Sequence, residues 1–436
     1  MSPSASVSDP LDDPLALLRG RGFVQDVTDG AALAARFREG RVTYYVGFDP
    51  TAPSLHVGNL MGIMAMAWLQ RAGHRPIALA GGATGRIGDP SGRDSERELL
   101  DEERITANLV GIRRQLGSIL DLSTPEAGLL LDNHDWLGRF SFLGFLREVG
   151  VHASVNQMVA REAVKRRLEA REQGLTFTEF TYQLLQAYDF AHLAAEHGCV
   201  LQGGGSDQWG NITAGIELTR KLHGIQVFGV VWPLLTTEDG EKLGKSAGNS
   251  VWLDPERTSP YAYYQYWLNR ADAELERLLL AFTFLPRAEV TELAAAHASD
   301  PGAREGQRVL AREATRILHG DEGVAAAERA TDVLFGDAPF AGVSDAALAD
   351  AFGEAPSKEL ARGRLDEGLG LLELLVELGA ARSNGEARRL VEQGGVRVNN
   401  AAVDDASRRL GPDDLAGATT LVVSVGRKRH HLARFV

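Results

Sequence analysis

Side chains suited to phosphate chemistry follow a predicted strand near the start of the chain. In the segment GFDPTAPSLHVGN (47–59), a strand leads through a turn into a helix, so N–H groups of the first helical turn point beyond the strand. Thr51 and His56 add side-chain donors beside those groups. The segment therefore predicts an anion site, with an ordinary strand-to-helix turn capped by Asp49 as the alternative.

A glycine-rich loop follows the next predicted strand. The segment GGATGRIGDPSGRDSER (81–97) places Asp89 among glycines, whose lack of a side chain lets a ligand approach the backbone closely. Arg93 and Arg97 lie further along the same segment. The pattern fits a ligand-binding loop, and it equally fits a turn that carries solvated charges.

Three polar residues share one face of a predicted helix. In TYQLLQAYDF (181–190), Tyr182, Gln186 and Asp189 are spaced by four and three residues, which aligns them beside apolar side chains. Polar groups on an otherwise apolar helix cost free energy unless they are paired. The alignment predicts a ligand or a buried polar network at this face, and the alternative is an exposed polar stripe.

Two later segments contribute a helix cap and a pair of cations. In GGSDQWGN (204–211), Ser206 and Asp207 can cap the helix that follows a predicted strand. In EKLGKS (241–246), Lys242 and Lys245 lie on a glycine- and charge-rich stretch with no apolar period, which predicts a mobile loop. Lysines in such a loop are usually solvated, but near a triphosphate they would stabilise its negative charge.

The elements that must position these residues alternate between strand and helix as far as about residue 231. Short apolar runs predict strands and longer runs with helical spacing predict helices, a pattern typical of a parallel sheet with crossover helices. The predicted strands cover 42–48, 76–82, 128–132, 199–204 and 225–231. The predicted helices lie near 56–72, 101–120, 135–149, 156–171, 178–197 and 207–222.

The rest of the chain predicts further domains. Alanine- and leucine-rich helical spacing continues without a strand signal to about residue 351, a loose segment follows, and two short helices and β-like pieces end the chain. The predicted organisation is a parallel-sheet α/β domain over 1–235, a mobile loop segment over 236–258, a helical domain over 259–351, a linker over 352–368 and a small α+β domain over 369–436.

Composition places the protein among ordinary globular chains. It has 436 residues, 44% of them hydrophobic, and a net charge of −13, which excludes disordered, collagen-like and disulfide-scaffold classes. Cys199, the single cysteine of the sequence, can form no internal disulfide and predicts a reducing compartment. The first ten residues have neither a basic start nor an apolar stretch, and no later segment approaches the roughly 18 apolar residues of a membrane span. We expect a cytoplasmic protein outside the membrane.

The last 57 residues depart from the acidic average. Between Ala380 and Val436, ten lysines and arginines face six acids, an excess of four positive charges on a chain whose total is −13. Such a basic region predicts contact with a polyanion, and the alternative is a solvated face.

The segments in this order resemble those of a known family. HVGN (56–59) and KLGKS (242–246) are similar to the HIGH and KMSKS signatures of class I aminoacyl-tRNA synthetases. The blocks GFDPTAPSLH, GGATGRIGDPSG, TYQLLQAYDF and GGSDQWGNITAG resemble bacterial tyrosyl-tRNA synthetases in particular, and SNGEARRLVEQGGVRVNN (383–400) is similar to S4-type RNA-binding domains. The resemblance covers nearly the whole chain and implies a Rossmann-type catalytic domain, a helical anticodon-side domain and an S4-like domain.

The resemblance implies a tyrosine–tRNA ligase that uses ATP with Mg²⁺ as substrate, with no tightly bound cofactor and no resident metal. It also implies a homodimer that binds tyrosine, ATP and tRNA. For tyrosine, it implies that Tyr45 and Asp189 bind the phenol, that Asp89, Tyr182 and Gln186 hold the ammonium group, and that Gln208 lies near the carboxylate.

For the nucleoside of ATP, the resemblance implies a lining of Gly47, Asp49, Gly205 and Asp207, and a contact of Asn59 with the ribose. For the phosphates, it implies Thr51 and His56. For the leaving pyrophosphate, it implies Arg93, Arg97, Lys242 and Lys245. For tRNA, it implies phosphate contacts by Arg382, Arg388, Arg389 and Arg397. Two residues depart from the common signatures: Asn59 replaces the second histidine of HIGH, and Gly244 replaces a serine of KMSKS.

Two alternative functions fit the same fold. A noncatalytic RNA-binding or regulatory relative would have lost its phosphate-handling residues, whereas His56, Lys242 and Lys245 are present. A tryptophan-specific relative would not need Asp189 with Tyr45, a pair suited to a phenol.

Overall fold

The computed structural model describes residues 9, 11–91, 100–161, 164–165, 168, 175–234, 245–246, 249–335, 340, 342–352, 355–426 and 429–436, and at 245, 246, 249, 334 and 335 the backbone alone. The described chain divides into two compact units. The first combines the chain up to Asp254 with Arg270–Leu318, and the second combines Pro255–Asn269 with His319–Val436.

Among the described residues of the first unit, six strands form one sheet. The strands are β1 (Asp26–Val27), β2 (Thr43–Phe48), β3 (Arg75–Ala80), β4 (Leu129–Asp132), β5 (Cys199–Gly205) and β6 (Phe228–Trp232). Their order is β1-β6-β5-β2-β3-β4, with every neighbouring pair parallel except β1 and β6. The predicted parallel sheet is confirmed, whereas β1 was not predicted because two residues are too short to show a pattern.

Helices connect the strands. They are α1 (Pro14–Gly20), α2 (Gly30–Arg38), α3 (Val57–Arg71), α4 (Glu102–Ile119), α5 (His134–Leu137), α6 (Phe142–Glu148), α7 (Val155–Val159), α8 (Phe177–His197) and α9 (Trp209–His223), with short 3-10 turns at Thr84–Arg86, Gly150–His152 and Ser206–Gln208. The single helix predicted over 135–149 is wrong. The helix is interrupted after Leu137, with Gly138 as its C-terminal cap. Ser141 then caps a new helix by accepting from the Gly144 N–H.

Two of these helices carry the predicted site residues, and their caps explain where they begin. The α3 helix starts at His56 and the α8 helix at Thr176, each with a capping box in which the cap and the third helical residue bond reciprocally. The α8 helix ends at Gly198, whose φ of 61° suits a residue without a Cβ. An apolar cluster that includes Tyr45, Phe190 and Leu193 lies against the sheet.

The first unit also contains short strands β7 (Lys245–Ser246) and β8 (Asn249–Ser250), and later helices. These are α11 (Leu275–Phe282), α12 (Arg287–Ser299) and the first part of α13 (Glu305–Phe335), with 3-10 turns at Asp272–Glu274 and Pro301–Ala303; α10 (Pro260–Leu268) belongs to the second unit. The α13 helix is broken at Gly320, whose φ is 67°.

The division into units differs from the predicted helical domain over 259–351, because residues 270–318 group with the sheet. Arg21 gives a physical reason for this grouping. Its buried guanidinium pairs with Asp9, donates to the carbonyls of Leu280 and Leu285, and lies 3.5 Å from the ring centroid of Trp68. A buried cation with these partners ties α11 to α3.

The second unit contains a small α+β fold beside its helices. Its further elements are α14 (Asp345–Ala351), β9 (Ser357–Leu360), α15 (Arg362–Asp366), β10 (Leu369–Gly370), α16 (Leu371–Glu377), α17 (Asn384–Glu392), β11 (Val396–Val398), β12 (Ala401–Val403), β13 (Arg409–Leu410), a 3-10 turn at Pro412–Asp414, β14 (Thr420–Val425) and β15 (Arg429–Phe435). In the described part, five strands form a sheet in the order β12-β11-β14-β15-β9, and β10 pairs with β13.

The segment predicted as a linker over 352–368 contains structure. Ser357–Leu360 form β9, which pairs in parallel with β15 at the edge of the sheet, and Arg362–Asp366 form α15. The prediction failed because three of the four side chains of β9 are exposed and polar, so the strand has no apolar alternation. Among the described residues of the whole chain, no helix combines the length and apolarity that crossing a bilayer requires.

Candidate active site

A cavity of about 340 Å³ opens at the carboxyl ends of the parallel strands, where ligands bind in folds of this kind. Its lining includes the predicted residues Tyr45, Gly47, Asp49, Thr51, His56, Asn59, Asp89, Tyr182, Gln186, Asp189, Gly205, Asp207 and Gln208. The structure thus brings together side chains that are as far as 163 residues apart in the sequence, from Tyr45 to Gln208.

The remaining predicted residues lie elsewhere. Arg93, Arg97 and Lys242 are outside the described residues, and for Lys245 only the backbone, in β7, is described. The four predicted tRNA contacts, Arg382, Arg388, Arg389 and Arg397, are exposed on the second unit, on and around α17 and β11.

One end of the cavity is closed and holds a buried carboxylate. Asp189 is 2% exposed, and its two oxygens accept from Asn133 Nδ2 at 2.9 Å and from Trp136 Nε1 at 2.8 Å. Burial raises the pKa of Asp189 to about 8, against the opposing effect of these two donors. The carboxylate is therefore desolvated, rigidly held and open to a further hydrogen bond.

Beside Asp189 lie two polar groups with unused hydrogen-bonding capacity. Tyr45 is 1% exposed, and its hydroxyl bonds to none of the residues that the structure describes. Its register partner on β5 is Gln202, whose buried side-chain oxygen likewise has no bonding partner in the described part of the chain. Because unsatisfied buried polar atoms are rare in folded proteins, these two indicate a ligand with polar groups at this end.

A second set of bonds lines the middle of the cavity. The Gln208 amide donates to Asp89 at 2.7 Å, and Asn211 donates to Gln186 at 3.0 Å and to the Gln208 oxygen at 3.2 Å. Asp89 also accepts from the Ser91 N–H at 2.9 Å. These contacts hold a carboxylate and amide oxygens at the cavity wall, which suits an ammonium group.

The hydroxyl of Tyr182 makes a different contact. It donates to Asp49 Oδ2 at 2.8 Å, and Asp49 Oδ1 accepts from Thr84 Oγ1 at 2.7 Å. Burial and the nearby carboxylates raise the pKa of Tyr182 well above its ordinary value, so the phenol stays neutral and donates its proton. Asp49, which the resemblance associates with adenosine, is thus bonded to a residue that the resemblance associates with tyrosine.

At the open end, His56 caps the α3 helix. Its ring nitrogen Nδ1 accepts from the Gly58 N–H at 3.0 Å, so the neutral ring carries its proton on Nε2. Asn59 completes the cap, because its side-chain oxygen accepts from the His56 N–H at 3.0 Å. An asparagine can therefore serve at position 59 as a cap, and the helix N-terminus with the His56 Nε2–H suits an anion.

Two glycines and a tryptophan shape the floor of the cavity. A Cβ at Gly62 would lie 2.9 Å from the Trp232 ring, and a Cβ at Gly203 would lie 2.8 Å from it. Trp232 itself lines the cavity. The two glycines are therefore needed for the indole of Trp232 to lie between α3 and β5.

Several residues of the site were not predicted from the sequence, namely Thr84, Asn133, Trp136, Gln202, Asn211 and Trp232. A signal existed for two of them. The segment DNHDW (132–136) directly follows the predicted strand β4, and polar residues at the carboxyl end of a parallel strand are placed at the ligand edge of the sheet.

Comparisons with known proteins show the family. Residues 38–336 match the family model described as tRNA synthetases class I (W and Y), and residues 369–415 match the S4 domain. The tyrosine–tRNA ligase of Rhodopirellula baltica is 48% identical over 418 residues, which cover 96% of this chain and 95% of that protein. That of Roseiflexus castenholzii is also 48% identical, over 96% of this chain and 98% of that protein.

Solved structures give the same result. The C-terminally truncated mitochondrial tyrosyl-tRNA synthetase of Aspergillus nidulans is 34% identical, with a TM-score of 0.67 over 74% of this chain and 94% of that one. The chain belongs to the class I tRNA synthetases of the tryptophan and tyrosine type. Within that class it is a member of the tyrosine–tRNA ligase family, since relatives of that name match it over nearly its whole length.

Proposed function

We propose that the cavity carries out both steps of tyrosine–tRNA ligation with the residues described above. The family uses ATP as substrate, and Mg²⁺ enters with its phosphates. The tyrosine carboxylate attacks the α-phosphate in line and pyrophosphate leaves with the electrons of the broken P–O bond. A hydroxyl of the 3′-terminal adenosine of tRNA then attacks the tyrosyl carbonyl carbon, and AMP leaves as the bond between that carbon and the phosphate oxygen breaks. The observation that carries the proposal is the buried pair of Asp189 and Tyr45 at the closed end of the cavity.

This pair supports selection of tyrosine. The phenol hydroxyl of the substrate can form hydrogen bonds with both Asp189 and Tyr45. Phenylalanine has no hydroxyl and would leave both buried side chains without a bonding partner from the substrate. An unsatisfied buried polar group costs about 1 to 3 kcal/mol, and more when it is charged. Gln202, beside Tyr45, extends the polar lining of the same subsite.

The middle of the cavity supports binding of the tyrosine ammonium group by Asp89, with Gln186 beside it. Gln208 and Asn211 hold these two side chains by the bonds described above. The hydroxyl of Tyr182 donates to Asp49 and not to Asp89, so Tyr182 lines the ammonium site without holding the carboxylate of Asp89.

The open end supports binding of the triphosphate. The tyrosine carboxylate is already ionised at neutral pH, so the first step needs no general base, and catalysis rests on positioning and on stabilising negative charge. His56 and the N-terminus of α3 supply donors, with Thr51 beside them. We assign Arg93, Arg97, Lys242 and Lys245 to the leaving pyrophosphate, and Gly47, Gly205, Asp207 and Asn59 to the adenosine.

Tyrosine-dependent exchange of pyrophosphate into ATP tests the proposal. Exchange should require tyrosine and should be far weaker with phenylalanine or tryptophan. Asp189→Asn, which keeps the size of the side chain but replaces one carboxyl oxygen with an amide group that only donates, should lower kcat/KM for tyrosine by about tenfold or more, because a buried polar group without its partner costs about 1 to 3 kcal/mol. An unchanged kcat/KM in this variant would overturn the assignment of the phenol subsite.

Exposed apolar side chains of the first unit support a homodimer. Phe142, Leu143, Val151, Val155 and Phe177 are between 61% and 70% exposed and belong to the stretch from α6 to the start of α8. Several large apolar side chains so exposed in one stretch are typical of an interface. Leu143→Glu combined with Val151→Glu should halve the mass measured by sedimentation, whereas Val110→Glu, at a residue of similar exposure on α4, should leave it unchanged.

The second unit supports tRNA binding, since its S4 domain exposes Arg382, Arg388, Arg389 and Arg397. Phosphate contacts by arginines would make tRNA binding depend on salt. A cytoplasmic location stays a prediction from the sequence.

A further inference from the structure

A short antiparallel ribbon joins the segment in front of α3 to the segment that follows β8. The Val57 N–H donates to the Val251 carbonyl at 3.0 Å, the Leu253 N–H donates to the Leu55 carbonyl at 2.8 Å, and His56 and Trp252 are paired between them. The ribbon, defined as residues 54–57 with 251–254, lies within the first unit.

Side chains from α4 fasten the ribbon. The buried amide of Gln115 accepts from the Leu55 N–H at 2.8 Å and donates to Ser54 Oγ at 3.0 Å, and the Asp254 N–H also donates to that hydroxyl at 3.2 Å. Gln115 therefore holds one strand of the ribbon directly, and the Ser54 hydroxyl connects it to the other strand at Asp254.

The two residues at the centre of the ribbon are in aromatic contact. The ring centroids of His56 and Trp252 are 6.2 Å apart with the planes at 60°, an edge-to-face arrangement that aromatic pairs favour. The His56 ring is thus fixed by two contacts: its Nδ1 accepts from the Gly58 N–H, and the ring packs against the indole. Rotation of the ring would break both contacts.

We propose that Trp252 is a positioning residue for the activation of tyrosine by ATP, and that it acts by holding the His56 ring with its Nε2–H toward the triphosphate. The inference rests on the proposed function, because it assigns His56 to the phosphates. Trp252 itself is not among the residues that line the cavity, so its effect reaches the substrate through His56.

The contact also explains why an aromatic residue belongs at this point of the chain. The ribbon strand that carries Trp252 begins at Val251, directly after β8 and six residues after Lys245. Pairing of Trp252 with His56 therefore fixes the chain, a few residues after Lys245, next to the HVGN segment. The backbone bonds of the ribbon set which residues of the two segments face each other, and the indole of Trp252 sets the orientation of the His56 ring.

Two substitutions at Trp252 distinguish the effect of its aromatic ring from the effect of its apolar bulk. Trp252→Leu keeps an apolar side chain and the backbone pairing but removes the aromatic edge, whereas Trp252→Phe keeps a ring. We expect the leucine variant to form tyrosyl-adenylate about 10-fold to 100-fold more slowly at saturating tyrosine, since a small misplacement of a catalytic group has costs of that order. We expect the phenylalanine variant to stay within about threefold of the parent, and the KM for tyrosine to be unchanged in both.

A double-mutant cycle with His56→Ala tests whether the effect passes through His56. If Trp252 only positions that ring, Trp252→Leu should cost less than about twofold in the His56→Ala background. Equal losses in both backgrounds, or a leucine variant as fast as the parent, would overturn the inference. A His56→Ala variant with the parent rate would instead overturn the assignment of His56 in the proposed function.

Arg114→Ala provides a matched control at the end of the same ribbon. Arg114, an exposed residue of α4, bonds to the ribbon residue Asp254 at 3.0 Å. Its loss should change the rate of adenylate formation by less than about twofold, because the aromatic contact between His56 and Trp252 is kept. Thermal melts of all variants should lie within a few degrees of the parent, and a tenfold loss in Arg114→Ala would show that the ribbon acts as a whole rather than through Trp252.

Discussion

The Nδ2 atom of Asn133 lies 2.9 Å from a carboxylate oxygen of Asp189, and the surroundings allow only this orientation of the amide. The Asn133 oxygen accepts from the Ala83 N–H at 2.8 Å, and the second Nδ2 proton reaches Thr84 Oγ1 at 2.9 Å. Thr84 in turn donates to Asp49. One asparagine thus connects, through Thr84, the carboxyl groups of Asp189 and Asp49, which both line the cavity, and sets the direction of each hydrogen bond between them.

Replacing Asn133 with alanine should raise the pKa of Asp189, because the donor that stabilises the ionised form is lost. Less of Asp189 would then be ionised at pH 7, and kcat/KM for tyrosine should fall by about tenfold, in line with the 1.5 to 3 kcal/mol of a charged hydrogen bond. The loss should shrink as the pH of the exchange assay rises from 7 to 9. A loss independent of pH would contradict this role, and Asn156→Ala, at an exposed asparagine of α7, provides the control.

The folded state should lose stability in mild acid through His74. Burial lowers the pKa of His74 from 6.5 to about 4, with Arg41 and Arg36 acting in the same direction, and its Nδ1 accepts from the Val42 N–H at 3.1 Å. Between these pH values the unfolded chain binds a proton that the folded chain does not, so the free energy of unfolding falls as pH falls from about 6.5 to about 4.

His74→Gln, which keeps an acceptor but cannot titrate, should remove that part of the pH dependence in urea unfolding experiments. The difference between variant and parent isolates His74 from other groups that titrate in the same range. His223→Gln, at an exposed histidine, provides the control for the same substitution elsewhere on the chain. A parent and a His74→Gln protein with identical slopes between pH 4 and 6.5 would contradict the burial argument.

Lys242→Ala and Lys245→Ala should each lower the rate of adenylate formation while leaving tyrosine affinity nearly unchanged. Their charges are proposed to act on the triphosphate in the transition state, and such interactions change kcat rather than ground-state binding of the amino acid. Single-turnover kinetics at saturating ATP measures the rate of adenylate formation, and its dependence on tyrosine concentration measures the affinity for tyrosine. Lys358→Ala, at a lysine that pairs with Glu377 in the second unit, serves as control. Matching losses of tyrosine binding would make the two lysines structural.

The basic residues of the S4 domain are better tested by neutralisation than by truncation. Deleting residues 361–436 would uncover Phe340 and Leu348, which pack against Val422 in one apolar cluster of the second unit. Replacement of Arg382, Arg388, Arg389 and Arg397 by glutamine should instead spare adenylate formation and weaken tRNA binding, with a salt dependence whose slope decreases by about one for each lost phosphate contact. Charging of tRNA at the parent rate in 0.15 M salt would make these arginines a solvated face.

Local patterns predicted the parts of the site that depend on one segment at a time. The spacing of Tyr182, Gln186 and Asp189 along a helix was sufficient to place all three on one face, and the structure finds them at one cavity. The resemblance supplied Tyr45, whose strand and burial follow from its apolar neighbours.

What escaped prediction depends on register between distant segments. Asn133 and Trp136 reach Asp189, more than 50 residues away, only because β3 and β4 pair in parallel and bring the end of β4 to the cavity. Gln202 lies beside Tyr45 through the pairing of β2 with β5. The ribbon between His56 and Trp252 joins residues almost 200 positions apart. No local period carries such information.

The indole of Trp232 occupies volume that side chains at positions 62 and 203 would otherwise fill. The three positions therefore share one volume, and a change at one can be compensated at another: a small residue at 232 would make room for alanine at 62 or 203. The same exchange of volume between position 232 and positions 62 and 203 can be used to engineer the cavity. Trp232→Ala would open a hole in the floor of the cavity, into which a substrate analogue enlarged by a matching group could fit while the parent protein excludes it.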